Sequence, residues 1–184
     1  IVGFECWRHP SKENITSLVL IPQVVDAVKV PVIAGGGFAD ARGVVAAFAL
    51  GAEGVVMGTR FLATQECPIP LSFKKRLIEA QSTETMFVMR TLSDPMRALR
   101  NKLTTEVEAL EDKGAPAEQI IPMLAGNVTL KAMEAGDVEN SLLACGQVVG
   151  LVHDIPSVRE LVDNIMSEVT AVYEKLGKTL GKKF

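Results

Sequence analysis

Two short apolar runs, VPVIA at residues 30–34 and GVVM at 54–57, flank an Ala-rich segment over residues 38–50. Each run ends at once in glycine: Gly35, Gly36 and Gly37 after the first, Gly58 after the second. Short Val/Ile strands joined by a helix-length crossover predict a parallel βαβ unit buried on both faces. Asp40 is placed to cap the crossover helix, and Gly51 to end it in the left-handed conformation. Upstream, residues 1–4 read as the end of a buried strand and 5–14 as a polar loop. Residues 15–28 carry Leu18, Leu20, Ile21, Val24, Val25 and Val28 at near-helical spacing, and Pro22 predicts a late start or a break.

Beyond Glu66 the pattern changes. Pro68 and Pro70 lead into a helix over 71–80, and TMFVMRT at 85–91 favours an added strand or an extended crossing segment. Asp94-Pro95 predicts a helix start, with a cap residue followed by Pro at the first helical position. Thr105 opens a T-x-x-E capping box for a helix over 105–113. Pro116, Gly126, Gly136 and Gly146 divide the remainder into short helices. The last helix is capped by Ser157 and Glu160. Val158, Leu161, Val162, Ile165, Met166, Val169, Val172, Tyr173 and Leu176 form one apolar stripe, read as core packing, and Gly177 is read as its end.

The 184 residues suffice for one substantial core, and 48% of them are hydrophobic. A net charge of −3 gives no reason to expect a nucleic-acid partner; the basic run at 178–183 reads as a solvated tail. Cys6, Cys67 and Cys145 are widely spaced and form no C-x-x-C pair, which points away from a disulfide framework or a bound metal and toward a reducing cytoplasm. No apolar run approaches the roughly 20 residues that span a bilayer, so no membrane is expected. His153 reads as structural, and Cys67 and Cys145 as core residues.

Glycines at the carboxyl ends of two consecutive parallel strands let an anion lie against bare backbone N–H groups. A (β/α)8 barrel builds a phosphate site in this way after its last two strands. Gly35, Gly36, Gly37 and Gly58 are therefore candidate phosphate ligands, joined by Thr59, whose hydroxyl and N–H both donate. Arg60 either adds positive charge there or bridges to a carboxylate elsewhere.

The stretch AGGGFADARGVVAAFALGAEGVVMGTRFLATQECP resembles the phosphate-binding segment of the nitronate monooxygenase family. The likeness extends upstream through FECWRHPS and NITSLVLIPQVVDAV, and downstream to RALRN and GQVVGLVHDIPS. It implies an α/β fold of the (β/α)8 TIM-barrel type, of which this chain carries the carboxyl-terminal portion, strands six to eight. Residues 1–66 are then a partial barrel with FMN phosphate-binding loops, and 67–184 a mainly helical extension that includes the final barrel-packing helix. The implied cofactor is FMN, held through Gly36 and Gly37 after strand seven and Gly58 and Thr59 after strand eight. The implied reaction oxidises an alkyl nitronate with O2. His9 matches the family histidine that acts on the substrate, as a base or as a partner for the anion, roles suited to a side chain that titrates near neutrality.

Two departures from the family pattern stand out. Trp7-Arg8 replaces the Gly-Gly pair before the histidine, and bulk there is expected to block the backbone's approach to the cofactor or redirect the loop. Eight barrel units need roughly 200 residues, and about three are legible here. The chain is thus expected to be the carboxyl half of a longer protein or to draw its missing strands from elsewhere, with association, for example as a homo-oligomer, covering open sheet edges. Two alternatives remain: an NAD(P)H-dependent flavin reductase acting on an enoyl thioester or a quinone, and a non-catalytic phosphate-binding protein.

Overall fold

The computed structural model describes residues 1–6, 14–91 and 95–181. Trp7, Arg8, His9 and Asp94 lie outside the described residues.

The βαβ unit forms as the pattern predicts. Strand β1 (Ile33–Gly35) pairs in parallel with β2 (Gly54–Val56), Ile33 opposite Gly54 and Gly35 opposite Val56. Helix α2 (Ala41–Ala49) crosses between them, and the Asp40 carboxylate caps it by accepting from the Gly43 N–H at 3.1 Å. Gly51, at φ +94°, turns the chain out of that helix. On the other side of β1, Val2 makes a parallel bridge to Gly35, so residues 1–3 run beside it before the chain turns at Phe4–Cys6.

Expected burial of this sheet on both faces holds for one face only. The register puts Ala34 and Val55 on the side covered by α1 (Ser17–Ala27) and α2, where they pack with Ile21, Phe38, Ala47 and Ala52. Val2, Ile33 and Val56 share the opposite side and are 48%, 44% and 60% exposed, because no layer covers that side among the described residues.

Helix α1 neither starts late nor breaks at Pro22. The Glu5 carboxylate accepts the Ser17 N–H at the helix start, and fully buried Ile21 anchors the first turns; together they hold the helix although Pro22 forgoes one backbone bond. After β2 comes the single turn α3 (Thr59–Leu62), then α4 (Leu71–Glu79).

The helix expected from Asp94-Pro95 is absent from the described residues: Met96–Leu99 is a strand, β4, antiparallel to β3 (Thr85–Val88). Pairing with β3 and burial of Arg97, Ala98 and Leu99 outweigh the local start signal. Beyond it, α5 (Lys102–Asp112) begins three residues earlier than its T-x-x-E box predicts. Asn101 accepts from the Thr104 N–H and Thr104 Oγ1 accepts from the Asn101 N–H, both at 2.9 Å, while the Asn101 amide ties down the carbonyls of Val138 and Ser141. Helices α6 (Ala117–Leu124) and α7 (Gly126–Glu134) follow.

Helix α8 (Val158–Thr179) is capped by Ser157 as predicted and packs on α2. It runs through Gly177, which is buried; Gly181, at φ +71°, turns the chain out of it. Of the stripe expected to be core, Leu161 is buried, but Val162, Met166, Tyr173 and Leu176 are exposed, since only one edge of the stripe faces α2. The largest core cluster draws Ala39 and Ala63 together with Phe73, Leu77, Leu99, Leu143, Cys145, Val149 and Val152. Cys145 is therefore core as expected, whereas Cys67 is half-buried. No helix among the described residues is long and apolar enough to cross a membrane.

Candidate functional site

Beyond the carboxyl ends of the parallel strands lies a cavity of about 160 Å³. Gly35, Gly36, Gly37, Gly58 and Thr59 all line it, so the fold brings the five candidate residues to one place. They play unequal parts. Gly35 spends its N–H on the Ile1 carbonyl and its carbonyl on the Gly3 N–H, and so belongs to the strand ladder. Gly36 and Gly37 have φ of +91° and +84°, a region that a Cβ disfavours. No acceptor among the described residues takes the N–H of either.

The two positions differ in space. A Cβ on Gly36 would stand 3.0 Å from the Gly3 nitrogen, whereas one on Gly37 meets only the Glu5 side chain, from 3.7 Å outward. Gly36 is thus packed against backbone and Gly37 faces the opening.

Thr59 is buried, and its hydroxyl oxygen accepts the Gly146 N–H at 2.8 Å. Its helix is a single turn, so the expected dipole contribution is slight. Arg60 adds no charge to the cavity: buried itself, it donates to Asp154. The carboxylate-bridging alternative is the one realised.

Besides the apolar side chains of Val2, Phe38, Val56 and Val148, the cavity wall includes Glu5, Cys6 and Gly146, none of them a candidate ligand from the sequence. Glu5 lines it, its carboxylate engaged by the Ser17 N–H and hydroxyl. Cys6 lines it and is buried. Gly146 arrives from far along the chain: residues 143–145 run beside β4, with Leu99 N–H donating to Leu143 and Cys145 N–H to Arg97. Gly146 is visible in sequence only as a helix divider; its place against Thr59 depends on a pairing 87 residues away.

Behind the Phe4–Cys6 turn lies Arg97, buried between two rings. Its guanidinium is 4.0 Å from the Phe87 centroid and 5.0 Å from that of Phe4, and it donates to Thr85 Oγ1 and the Phe4 carbonyl. Its Nε has no partner among the described residues. Burial pulls its pKa below the usual value, and the nearby Cys6, Cys145 and Glu5 offset this in part. Arg97 fixes the turn that supplies Glu5 and Cys6 to the cavity wall.

Comparison with known proteins places this geometry among relatives. The nitronate monooxygenase family profile matches residues 3–168. A Rhodococcus jostii (3aS,4S,5R,7aS)-5-hydroxy-7a-methyl-1-oxo-octahydro-1H-indene-4-carboxyl-CoA dehydrogenase is 32% identical over 89% of this chain and 56% of its own length. A probable nitronate monooxygenase of Staphylococcus saprophyticus is 30% identical over 88% of this chain and 45% of its own. Among solved structures, FabK from Thermotoga maritima superposes with a TM-score of 0.89 at 35% identity, covering 97% of this chain and 56% of that one. Nitroalkane oxidase from Streptomyces ansochromogenes gives 0.78 at 28%, over 95% and 52%. The chain spans about half the length of these relatives.

Proposed function

The chain belongs to the nitronate monooxygenase family, and from that premise we propose that it holds FMN by its phosphate and serves the flavin-dependent oxidation of a small alkyl nitronate by O2. The observation that carries the reading is the convergence of Gly36, Gly37, Gly58 and Thr59 on one cavity at the ends of two consecutive parallel strands. The residues present fit a phosphate. The left-handed glycines leave bare N–H groups beside the opening, the Thr59 hydroxyl stands opposite, and the Glu5 carboxylate is occupied by Ser17.

Anion binding here rests on backbone and hydroxyl donors, because Arg60 is committed to Asp154. When bound, FMN supplies the redox chemistry, taking up electrons from the substrate and passing them to O2. The chain's own part is to grip the phosphate and wall the cavity with Val56, Phe38 and Val148. His9, outside the described residues, is the proposed base toward a neutral nitroalkane or the electrostatic partner of the nitronate anion.

Residues 1–66 are read as strands six to eight of a (β/α)8 barrel and 67–184 as the helical extension. The apolar face bearing Val2, Ile33 and Val56 supports this, since it would form part of the barrel interior.

The test is a visible spectrum of the protein purified with added FMN, followed by Gly37→Val. Flavin bands that vanish in the variant are expected; undiminished flavin in Gly37→Val refutes the phosphate site. Likeness to FabK and to the CoA dehydrogenase favours a second reading, an NAD(P)H-dependent flavin reductase acting on an enoyl thioester or a quinone. NAD(P)H oxidation measured against nitronate-dependent O2 uptake separates the two.

A further inference from the structure

We propose that Gly146 is a positioning residue, one that fixes the Thr59 hydroxyl as a hydrogen-bond donor aimed into the cavity. The inference rests on the phosphate reading above and concerns how that site discriminates.

The 145–148 segment is clipped at two points. Gly146 donates its N–H to Thr59 Oγ1 at 2.8 Å, and Gln147 donates its own to the Glu5 carbonyl at 2.9 Å. A hydroxyl has one proton to give and lone pairs that accept. Gly146 takes the accepting side. Thr59 is only 4% exposed, and among the described residues its proton has no acceptor. A buried hydroxyl proton seeks a partner, and the cavity that Thr59 lines is the space left to it.

Gly36, Gly37 and Thr59 then present donors alone. Such a set matches an oxygen-rich anion, and the acceptor beside it, the Glu5 carboxylate, is engaged by the Ser17 N–H and hydroxyl. This set accounts for selection of a phosphorylated flavin over the same ring system without phosphate.

Glycine at 146 is required by space and not by conformation. Its φ of −86° is open to any residue, but a Cβ there would stand 2.6 Å from the Glu5 carbonyl oxygen. Any side chain pushes the segment off the Phe4–Cys6 turn and draws its N–H away from Thr59.

The experiment compares FMN with riboflavin, which lacks the phosphate, by flavin-fluorescence titration of the full chain. Thr59→Val and Gly146→Ala are each expected to lower FMN affinity roughly 10-fold or more while leaving riboflavin affinity unchanged. The double variant should lose no more than Thr59→Val alone, because Gly146 acts through that hydroxyl. Thr59→Ser, which keeps the hydroxyl, should retain the wild-type preference. Equal losses for both flavins, or additive losses in the double variant, overturn the role of Gly146. A wild-type chain that binds FMN no better than riboflavin overturns the phosphate reading, and this inference with it.

Discussion

Arg60 and Asp154 are bound to each other across 94 residues: the guanidinium donates to the Asp154 carboxylate at 2.5 Å and to its backbone carbonyl at 3.2 Å. Arg60 is almost fully buried, whereas the Asp154 side chain is largely exposed. The pair fastens the turn that carries Thr59 to the segment entering α8, and it denies the cavity a cation.

Removing the exposed partner leaves a buried charge with a single carbonyl acceptor. Asp154→Ala should therefore cost about 1–2 kcal/mol, less than a fully buried pair because water already screens Asp154. FMN affinity should not change. Urea denaturation with a parallel flavin titration checks both; a fall in affinity without a fall in stability would show that Arg60 serves the ligand.

Gly36 and Gly37 should separate fold from binding. Gly36→Ala forces a left-handed alanine with its Cβ 3.0 Å from backbone, and should destabilise the protein by about 1–3 kcal/mol. Gly37→Ala carries the strain of its φ but meets no backbone, so its larger effect should fall on flavin uptake. Melting temperature and bound flavin, measured on the two variants side by side, should rank them in opposite order.

Asp40 caps α2 and pairs with Arg42. Burial alone would raise its pKa, but the Arg42 guanidinium and the Gly43 N–H outweigh it and hold the carboxyl below its ordinary value. Its contribution is thus present above that value and is lost as pH falls through the depressed one. Asp40→Ala should cost about 1 kcal/mol at neutral pH. The cost should shrink under acid conditions, which denaturation at pH 7 and pH 3 will show.

Burial pushes the Cys145 thiol up to about 12, an effect that Arg97 and Arg76 only partly offset. The native state therefore keeps its proton where the unfolded chain, with an ordinary value of 9.0, has lost it. Stability from this group is full below pH 9 and falls as pH rises toward 12. At pH 8 Cys145 should resist iodoacetamide in the folded protein and react once the chain is unfolded. Peptide mass analysis after alkylation decides it, and rapid native labelling would contradict the assignment.

Local signals were mostly legible where partners lie close in sequence, the Asn101–Thr104 cap of α5 being the exception. The Asp40 and Ser157 caps and the left-handed turn at Gly51 depend on neighbours within a few residues, and the βαβ unit on two strands joined by one short crossover helix. Helix starts failed where a distant group intervened. Glu5 stabilises the start of α1 despite Pro22, and β3 draws Met96–Leu99 into a sheet against the Asp94-Pro95 signal.

The candidate site divides along the same line. From the sequence alone came the two glycine turns and Thr59, because residues adjacent in the chain stay adjacent at the ends of paired strands. Tertiary structure alone decided that Arg60 leaves the cavity for Asp154, that Arg97 props the Phe4–Cys6 turn, and that Gly146 claims the accepting side of the Thr59 hydroxyl. Hydrogen bonds and steric gaps between segments 87 to 94 residues apart carry no local periodicity, so they become visible only when the chain has closed on itself.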